Sequence, residues 1–513
     1  MDLLEMIYNK WKHDHDTLER EADYILNEVS VSLNRTNNPD LPADLLTMGE
    51  KYLVADFDEI YGGFGSSPKF PTPHKLFFLM DRYQVNPSRE TLNILEKTAI
   101  QMAKGGIFDH IGGGFCRYST DRFFLVPHFE KMLYDNALLI SFYAKLYEIT
   151  DKKIYLSIAE MTARFLLESM KSPEGGFYTA QDADSDGEEG LYYLFTPDEL
   201  DSVLGSEIGR DFCDHYRITT IGNFQGKNIP NLIDREMDQS DFDWDDSIKC
   251  DLREFRDQRI TLFTDKKILT SWNAMAISAF TDLYRVSENK KYLFDALNAY
   301  RFLHDNIYQN GNLLRGYQFG DLMSDGTLDD YAWYIYALLQ LHQATLDAFF
   351  LDEALICFKK SAELFWDDEF FGYFQNRKND QDMILKLKEI YDGAIPSGNS
   401  VMAENLRILS ILTDDESIDE FSRKQNEFML NQIGNRPEYS FYFLYVKNKE
   451  EHPPTKIIYV PHHENQMEKY IHHVGTRSVV KMRASSEEYP LKNEKDTFYI
   501  CDEFSCKPPV NSL

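Results

Sequence analysis

The stretch from Gly105 to Asn136 reads GGIFDHIGGGFCRYSTDRFFLVPHFEKMLYDN and shows no helix or strand periodicity until its last residues. It combines five glycines, two histidines and four acidic residues with an aromatic-rich segment. Glycine permits tight turns and the close approach of another group, and such loops often carry binding sites. This stretch is therefore the first candidate for a binding site, on the inner rim of a helical scaffold.

Related short motifs, which combine glycine with an aromatic or apolar residue, recur along the chain. It occurs at Gly62-Gly63-Phe64, Gly112-Gly113-Gly114-Phe115, Gly175-Gly176-Phe177-Tyr178, Gly311-Asn312-Leu313 and Phe371-Gly372-Tyr373-Phe374. The intervals are about 50 to 63 residues, except for one of 136 that contains the extra segment 207–265. Helical periodicity fills them, over 2–34, 43–59, 74–84, 88–104, 129–149, 153–170, 197–206, 271–287, 290–307, 328–348, 351–366, 397–412 and 415–433. Each short interval thus holds about two helices, which indicates a repeated helical hairpin.

Five or six such hairpins bury their apolar faces only by packing together. An open solenoid or a closed toroid of inner and outer helices would do this, and the long glycine-rich loops favour the toroid. We therefore predict a mainly α toroid over residues 1–437, with a surface insertion at 207–265. Between 438 and 513, the segments 455–460, 477–482 and 496–501 read as short strands, which predicts a small C-terminal α/β appendage.

Composition limits the classes of partner. With a formal net charge of −31, no broad basic surface is available to neutralise duplex phosphates, so we predict no nucleic-acid partner. No apolar run is long enough to span a bilayer and no signal peptide follows Met1, so we predict a cytoplasmic protein without a membrane partner. Neither a cofactor nor a metal is predicted. Cys501 and Cys506 are expected to be free thiols, with a labile disulfide or half of a metal site as alternatives.

The opening stretch holds the mixture of side chains that a sugar site needs. Carboxylates transfer protons, aromatic rings stack on the C–H face of a sugar, and amides bind its hydroxyls. The candidate catalytic residues here are Asp109, His110, His128 and Glu130, and the candidate substrate-binding residues are Phe115, Arg117, Tyr134 and Asn136. The structural alternative is that Asp109 and Glu130 pin the loop while His128 fills a polar gap.

A second stretch, GGFYTAQDADSDGEEGLYYLF at 175–195, matches the first part of a calcium-binding loop. Its twelfth position is Tyr193, where a bidentate Glu is required, so we predict a β-hairpin with an acidic turn instead. This stretch supplies catalytic candidate Asp182 and substrate-binding candidate Tyr178. The remaining candidates stand where inner helices are predicted to begin, with Asp330 and Asp392 as catalytic and Trp272, Asn273 and Trp333 as substrate-binding residues. A cap of the helix that begins near Ser397 explains Asp392 equally well.

Taken together, these segments resemble the YyaL/spermatogenesis-associated protein 20 family. The resemblance rests, in order, on GGFGSSPKFPTPHKLFFLM, GGIFDHIGGGFCRYSTDRFFLVPHFEKMLYDNALL, GGFYTAQDADSDGEEG, GNFQGKNI, KKILTSWNAM, DGAIPSGNS and CDEFSCKPP. It implies an (α/α)6 toroid similar to the N-acylglucosamine 2-epimerase and six-hairpin glycosidase folds. It also implies an upstream thioredoxin-like domain, which this chain is expected to lack, so a thioredoxin-like domain or protein is a candidate partner. Cys116 stands where the family commonly has His, which argues against proton transfer at that position.

The function predicted from these residues is that of a carbohydrate-active enzyme, a glycoside hydrolase or sugar epimerase, acting on a small sugar-like molecule in the funnel. Hydrolysis needs two carboxyls about 5 to 9.5 Å apart. Epimerisation needs a base, for which His110 and His128 are the candidates. The alternatives are a non-catalytic scaffold that holds a sugar or a partner, and an accessory of a thioredoxin-like redox protein.

Overall fold

The structure of the chain, a computed structural model, describes residues 2–33, 42, 44–238, 246–309, 311–381, 383–501 and 506–513. The helices in this part are α1 (Asp2–His13), α2 (His15–Leu33), α3 (Leu45–Asp56), α4 (Pro73–Val85), α5 (Arg89–Lys104), α6 (Leu133–Thr150), α7 (Lys153–Phe165), α8 (Pro197–Leu204), α9 (Ser206–Tyr216), α10 (Asp246–Arg259), α11 (Thr270–Ser287), α12 (Lys290–Asn306), α13 (Leu328–Thr345), α14 (Ala348–Phe365), α15 (Gly398–Thr413), α16 (Glu416–Ile433) and α17 (Phe441–Glu451). The predicted helix 2–34 is thus two helices. Most of the acidic run in the predicted insertion, 239–245, lies outside the described residues.

Six of these helices form a closed inner ring. In ring order they are α4, α6, α11, α13, α15 and α17, each packed against the next, and α17 packs against α4. An outer helix packs on each of them, namely α5 on α4, α7 on α6, α12 on α11, α14 on α13, α16 on α15, and α3 on α17. The predicted (α/α)6 toroid is therefore confirmed.

Burial explains which helices are inside. α6 and α13 are buried along nearly their whole length, as expected for helices enclosed on all sides, whereas outer α5 is amphipathic. Each outer helix returns antiparallel to its inner partner, so the inner helices run in one direction. Their N-termini share one end of the ring, which we call the mouth; the opposite end is the base.

The glycine–aromatic loops lie at the mouth and share an internal construction. In three of them, a buried lysine bonds the aspartate that opens the turn and a backbone carbonyl four residues later. The sets are Lys69 with Asp58 and Gly62, Lys131 with Asp109 and Gly113, and Lys388 with Asp367 and Phe371. The repeat seen in the sequence therefore reflects one turn structure used several times.

Short strands complete these loops and the appendage. They are β1 (Tyr118–Ser119), β2 (Pro127–His128), β3 (Lys131–Met132), β4 (Ala180–Gln181), β5 (Asp184–Ser185), β6 (Glu188–Glu189), β7 (Thr264–Asp265), β8 (Ile268–Leu269), β9 (Tyr308–Gln309), β10 (Asn312–Leu313), β11 (Gly316–Gln318), β12 (Asp321–Leu322), β13 (Thr455–Val460), β14 (Ser478–Met482) and β15 (Thr497–Cys501). β5 and β6 form the predicted hairpin with an acidic turn.

The appendage is a three-stranded sheet that lies at the base of the ring. β13 is central, parallel to β14 and antiparallel to β15, and the amide of Gln343 on α13 bonds the backbone of Val480 on β14. The division predicted at residue 437 falls just before α17, a ring helix, so the toroid continues to Glu451. The expectation of two free thiols is wrong, because Cys501 and Cys506 form a disulfide.

The predicted insertion is not confined to the surface. The predicted surface insertion contributes α10, whose Arg256 is fully buried and bonds Asp109 in the opening stretch. Within the described part of the chain, none of the helices combines the length and apolar character needed to cross a membrane.

Candidate functional site

A cavity lies on the axis of the ring, and we call it the upper cavity. Residues from α4, α6, α11, α13 and α17 line it. Its aromatic side chains are Phe77, Trp333, Tyr336, Tyr442 and Tyr445. Aromatic walls with a few polar groups are typical of sites for small organic molecules, so the ring axis is the candidate site. Trp333, predicted as a substrate-binding residue, lies in this wall.

A polar cluster stands at the mouth, where β1 and β3 lead into α6. The guanidinium of Arg117 bonds the carboxylate of Glu130 at 3.2 Å and lies against the hydroxyl of Tyr134. Its Nε atom is buried and has no acceptor among the described residues. The ring of Tyr134 packs edge-on against Trp272 of α11, with 4.7 Å between centroids. The structure thus brings together four of the residues predicted for the site.

The residue that sequence reasoning missed in this cluster is Asp135. It stands between Tyr134 and Asn136 in the first turn of α6, three residues before Leu138 of the upper cavity. Its side chain is 4% exposed, and no described residue donates a hydrogen bond to Oδ2. Burial raises the pKa of Asp135 well above its usual range; the charge of Arg117 opposes this, whereas Glu130 adds to it. Asp135 therefore favours the protonated form.

A second acid with a raised pKa stands on α13. Asp329 precedes Trp333 by one helical turn and accepts a hydrogen bond of 2.8 Å from Gln375. Burial raises the pKa of Asp329 to about 6 despite this bond. The mouth therefore carries protonatable carboxyls on two inner helices.

His128 links the mouth cluster to the acidic hairpin. Its Nδ1 lies 2.8 Å from Glu189 and its Nε2 lies 3.6 Å from Glu130, while its ring stacks on Tyr118. The imidazole is partly exposed and sits between two carboxylates. His128 is thus placed beside Glu130, as the candidate site requires.

Asp109 and His110 have structural surroundings instead. The Asp109 carboxylate bonds Lys131 at 2.9 Å and Arg256 at 2.9 Å. Burial alone would raise the pKa of Asp109, but the charges of Arg256 and Lys131 hold it far below its usual range. Burial lowers the pKa of His110 to about 4, and both residues line a small separate cavity with Cys116. Neither side chain lines the upper cavity.

Asp330 and Asp392 cap helices. Asp330 accepts from the Thr327 N–H at 2.9 Å in a capping box and from the Ser271 N–H at the start of α11. Asp392 accepts from the N–H groups of Ser397 and Tyr442, which ties the starts of α15 and α17 together. Their carboxylates are therefore engaged by backbone donors, while the cap of α15 is Ser397, whose hydroxyl accepts from the Ser400 N–H.

Asn136 and Asn273 hold the glycine–aromatic loops. In each, the amide oxygen accepts from the N–H of a loop aromatic residue and the amide nitrogen donates to the same residue's carbonyl. The pairs are Asn136 with Phe115 and Asn273 with Phe177, and Asn399 repeats the arrangement with Tyr373. Phe115 itself is buried against Tyr143. These side chains serve the architecture of the loops.

The acidic hairpin and its strand place the last two candidates. Asp182 is exposed, and its carboxylate accepts from the N–H of Asp184 in the same turn. Tyr178 is half-buried, with Lys266 6.0 Å from its ring centre. Among the described residues, no hydrogen bond or ion pair links either side chain to the mouth cluster.

Comparisons with known proteins identify relatives over most of the chain. Spermatogenesis-associated protein 20 of Homo sapiens is 31% identical over 453 residues, which is 78% of this chain and 58% of the human protein. An uncharacterised protein of Caenorhabditis elegans is 28% identical over 469 residues, which is 81% of this chain and 63% of that protein. The chain thus spans about three fifths of the length of these relatives. No family model matches it.

Among solved structures, a D-mannose isomerase superposes with a TM-score of 0.53 over 81% of this chain and 99% of the isomerase. The two sequences are 11% identical, so the likeness shows the fold alone. The D-mannose isomerase thus has the same overall fold as this chain.

Proposed function

Since the chain is homologous to spermatogenesis-associated protein 20 over about four fifths of its length and has a carbohydrate-enzyme-like toroid fold, we propose that it is a carbohydrate-active enzyme. The reaction we propose is hydrolysis of a glycosidic bond at the mouth of the ring. The substrate is a small glycoside whose sugar ring enters the upper cavity.

This proposal rests on one observation: two neighbouring carboxyls differ in burial and in their bonding partners. Asp135 is buried, lacks a donor to Oδ2 and has a raised pKa. Glu130 is partly exposed and ion-paired with Arg117. Environments that separate two carboxyls in this way assign the acid and base roles in glycosidases. Asp135 would donate a proton to the glycosidic oxygen, while the Glu130 carboxylate activates water or attacks the anomeric carbon.

The surrounding side chains supply binding. Tyr134 and Trp272 form an aromatic corner between α6 and α11, and Trp333 lies deeper in the upper cavity. Aromatic faces stack on the C–H face of a sugar, and the free Nε–H of Arg117 is a donor for a hydroxyl or carboxylate.

The test is turnover of a panel of aryl glycosides by the wild type, Asp135→Asn, Glu130→Gln and the control Glu188→Gln on the exposed hairpin. Loss of a general acid or base lowers kcat by about 10²–10⁴-fold, whereas the control should match the wild type. Wild-type activity should also fall as pH rises through the Asp135 pKa. Wild-type turnover in both mouth variants would exclude this site.

The second candidate reaction is epimerisation of a reducing sugar, and the contact of His128 with Glu130 favours it. An imidazole between two carboxylates is a suitable base for proton abstraction. Solvent deuterium incorporation into reducing sugars, measured by NMR, distinguishes the two reactions. Incorporation that disappears in His128→Gln and persists in Asp135→Asn would support epimerisation over hydrolysis.

A further inference from the structure

A second cavity lies at the base of the ring, and we call it the lower cavity. It lies between the later turns of the inner helices and the appendage, which contributes Pro454, Thr476, Ser478 and Val479. Its lining has four basic side chains and two acidic ones, namely Lys145, Arg285, Arg407 and Lys449 against Asp282 and Glu404. In a protein of net charge −31, this is a local excess of positive charge.

The ion pairs within the lining leave that excess in place. Glu404 is shared, since it bonds Arg407 at 2.8 Å and Lys449 at 2.8 Å. Asp282 pairs with Lys145. The guanidinium of Arg285 donates to the carbonyls of Val474 and Gly475 at 3.3 Å, which supply no negative charge. Two carboxylates thus face four cations.

Two further carboxylates lie outside the lining. Asp81 is bonded by Arg477 at 3.0 Å, so this pair is neutral. Glu148 accepts from the N–H of Thr476 at 2.7 Å. With Arg477, Asp81 and Glu148 all counted, five cations stand against four carboxylates, so an excess of one positive charge remains.

Two guanidinium groups also hold unused donors. Arg407 is 8% exposed and Arg285 is 7% exposed. Arg407 Nη1 and Arg285 Nε find no acceptor among the described residues. A buried donor left without an acceptor is unfavourable by about 1–3 kcal/mol, and more when it is charged. Both groups therefore lack an acceptor at the same cavity.

We propose that the lower cavity binds a small oxyanion, such as inorganic phosphate or the phosphate group of a small metabolite. Guanidinium donors match oxyanion geometry, and the ammonium groups of Lys145 and Lys449 add charge. The oxygens of the anion would accept from the unused donors of Arg285 and Arg407. Tyr336 and Tyr445 line both cavities, so the anion would lie directly beneath the upper cavity. This site stands independently of the reaction proposed for the mouth.

A competing explanation is that the cations only offset the partial negative charge at the C-termini of the inner helices. The two explanations differ in how the protein responds to phosphate. A ligand that binds only the folded state raises the unfolding temperature as its concentration increases. Cations that merely offset helix dipoles give no such dependence beyond that of chloride.

The experiment measures thermal unfolding and calorimetric binding of the full chain in potassium phosphate and in potassium chloride at matched ionic strength. We expect saturable phosphate binding and a larger rise in Tm than in chloride. A methyl phosphate series then separates a free anion from a phosphoester, since only a site open to a larger molecule accepts the ester. Equal Tm in both salts with no binding heat would overturn the proposal.

Variants assign the binding to the lower cavity. Gln340→Glu adds a negative charge to the lining without removing an ion pair, and we expect at least a tenfold loss of phosphate affinity; the control is Gln309→Glu on the surface. Arg407→Gln should act in the same direction, with surface Arg301→Gln as its control. Because Arg407→Gln also removes one of the two basic partners of Glu404, Gln340→Glu decides the matter if the former folds poorly. Wild-type phosphate affinity in Gln340→Glu would refute the assignment.

Discussion

Substitution of Asn136, the asparagine that holds the opening loop, tests whether this side chain stabilises the fold or binds a ligand. Asn136 accepts from the Phe115 N–H at 2.7 Å and donates to the carbonyls of Phe115 at 3.0 Å and of Met132 at 2.8 Å. In Asn136→Ala, the N–H and C=O of Phe115 stay buried and lose this partner. Each such group destabilises by about 1–3 kcal/mol, so two give roughly 2–6 kcal/mol, and we expect about 3 kcal/mol.

Urea unfolding followed by circular dichroism measures this loss. Asn273→Ala should lower the free energy of unfolding by a similar amount, because Asn273 bonds Phe177 in the same way. The exposed Asn306 on α12 is the control, and its alanine variant should stay within about 0.5 kcal/mol of the wild type. If Asn136→Ala keeps wild-type stability and instead loses sugar binding, the architectural role is refuted and the original substrate-binding prediction is restored.

Three further outcomes follow from the structure. Lys131→Met should destabilise by about 3–5 kcal/mol in urea, because it breaks a buried pair with Asp109, whereas the exposed Lys152→Met should change stability by less than about 1 kcal/mol. Burial raises the folded-state pKa of Asp329 to about 6, so its contribution to stability declines as pH rises from 4 towards 7; the stability of Asp329→Asn relative to wild type should therefore improve with pH, and a pH-independent difference would contradict the assignment. Iodoacetamide followed by mass spectrometry should label Cys250 in the native protein, and should label the remaining thiols only after unfolding because they are buried, namely Cys116, Cys213 and Cys357.

The toroid could be predicted from the sequence because each repeat is marked by a recognisable glycine–aromatic loop. The glycine–aromatic loops need turns that glycine adopts readily, and Gly63 and Gly114 both have positive φ. The one ring helix that was missed, α17, reads FYFLYVKNKEE and has little amphipathic character. It is buried on all sides within the ring, as α6 and α13 are, but it has 11 residues where they have 18, and its aromatic run resembles a strand. The Cys501–Cys506 pair was misjudged because spacing alone does not reveal a disulfide.

The site was predicted less well, because burial and bonding partners are tertiary properties. Asp109 and Asp135 are both acids in the same stretch, yet one is held by Lys131 and Arg256 and the other lacks a donor at Oδ2. Nothing in their immediate sequence separates these environments. The one available signal was that Asp135 stands between the two candidates Tyr134 and Asn136, which identifies a position but not an unfilled hydrogen-bonding site.

The repeat itself offers a better criterion for locating function in this chain. Counting from the first residue of α6, α11 and α13, the fourth position is Asn136, Asn273 and Tyr331, and each side chain bonds the backbone of a preceding loop. The third position is Asp135, Trp272 and Asp330, and even the two aspartates are bonded differently: Asp330 accepts from two backbone N–H groups, whereas no described residue donates to Oδ2 of Asp135. A role that recurs in successive hairpins serves the packing of the hairpin, because every hairpin must join its loop to the start of an inner helix. A position whose bonding differs between hairpins is not held by that requirement, and the third position supplies a protonatable acid, Asp135, and an aromatic ring, Trp272, to the same mouth. Recurrence therefore separates architecture from chemistry here, and it argues for Asp135 over Asp109 as the residue on which activity depends.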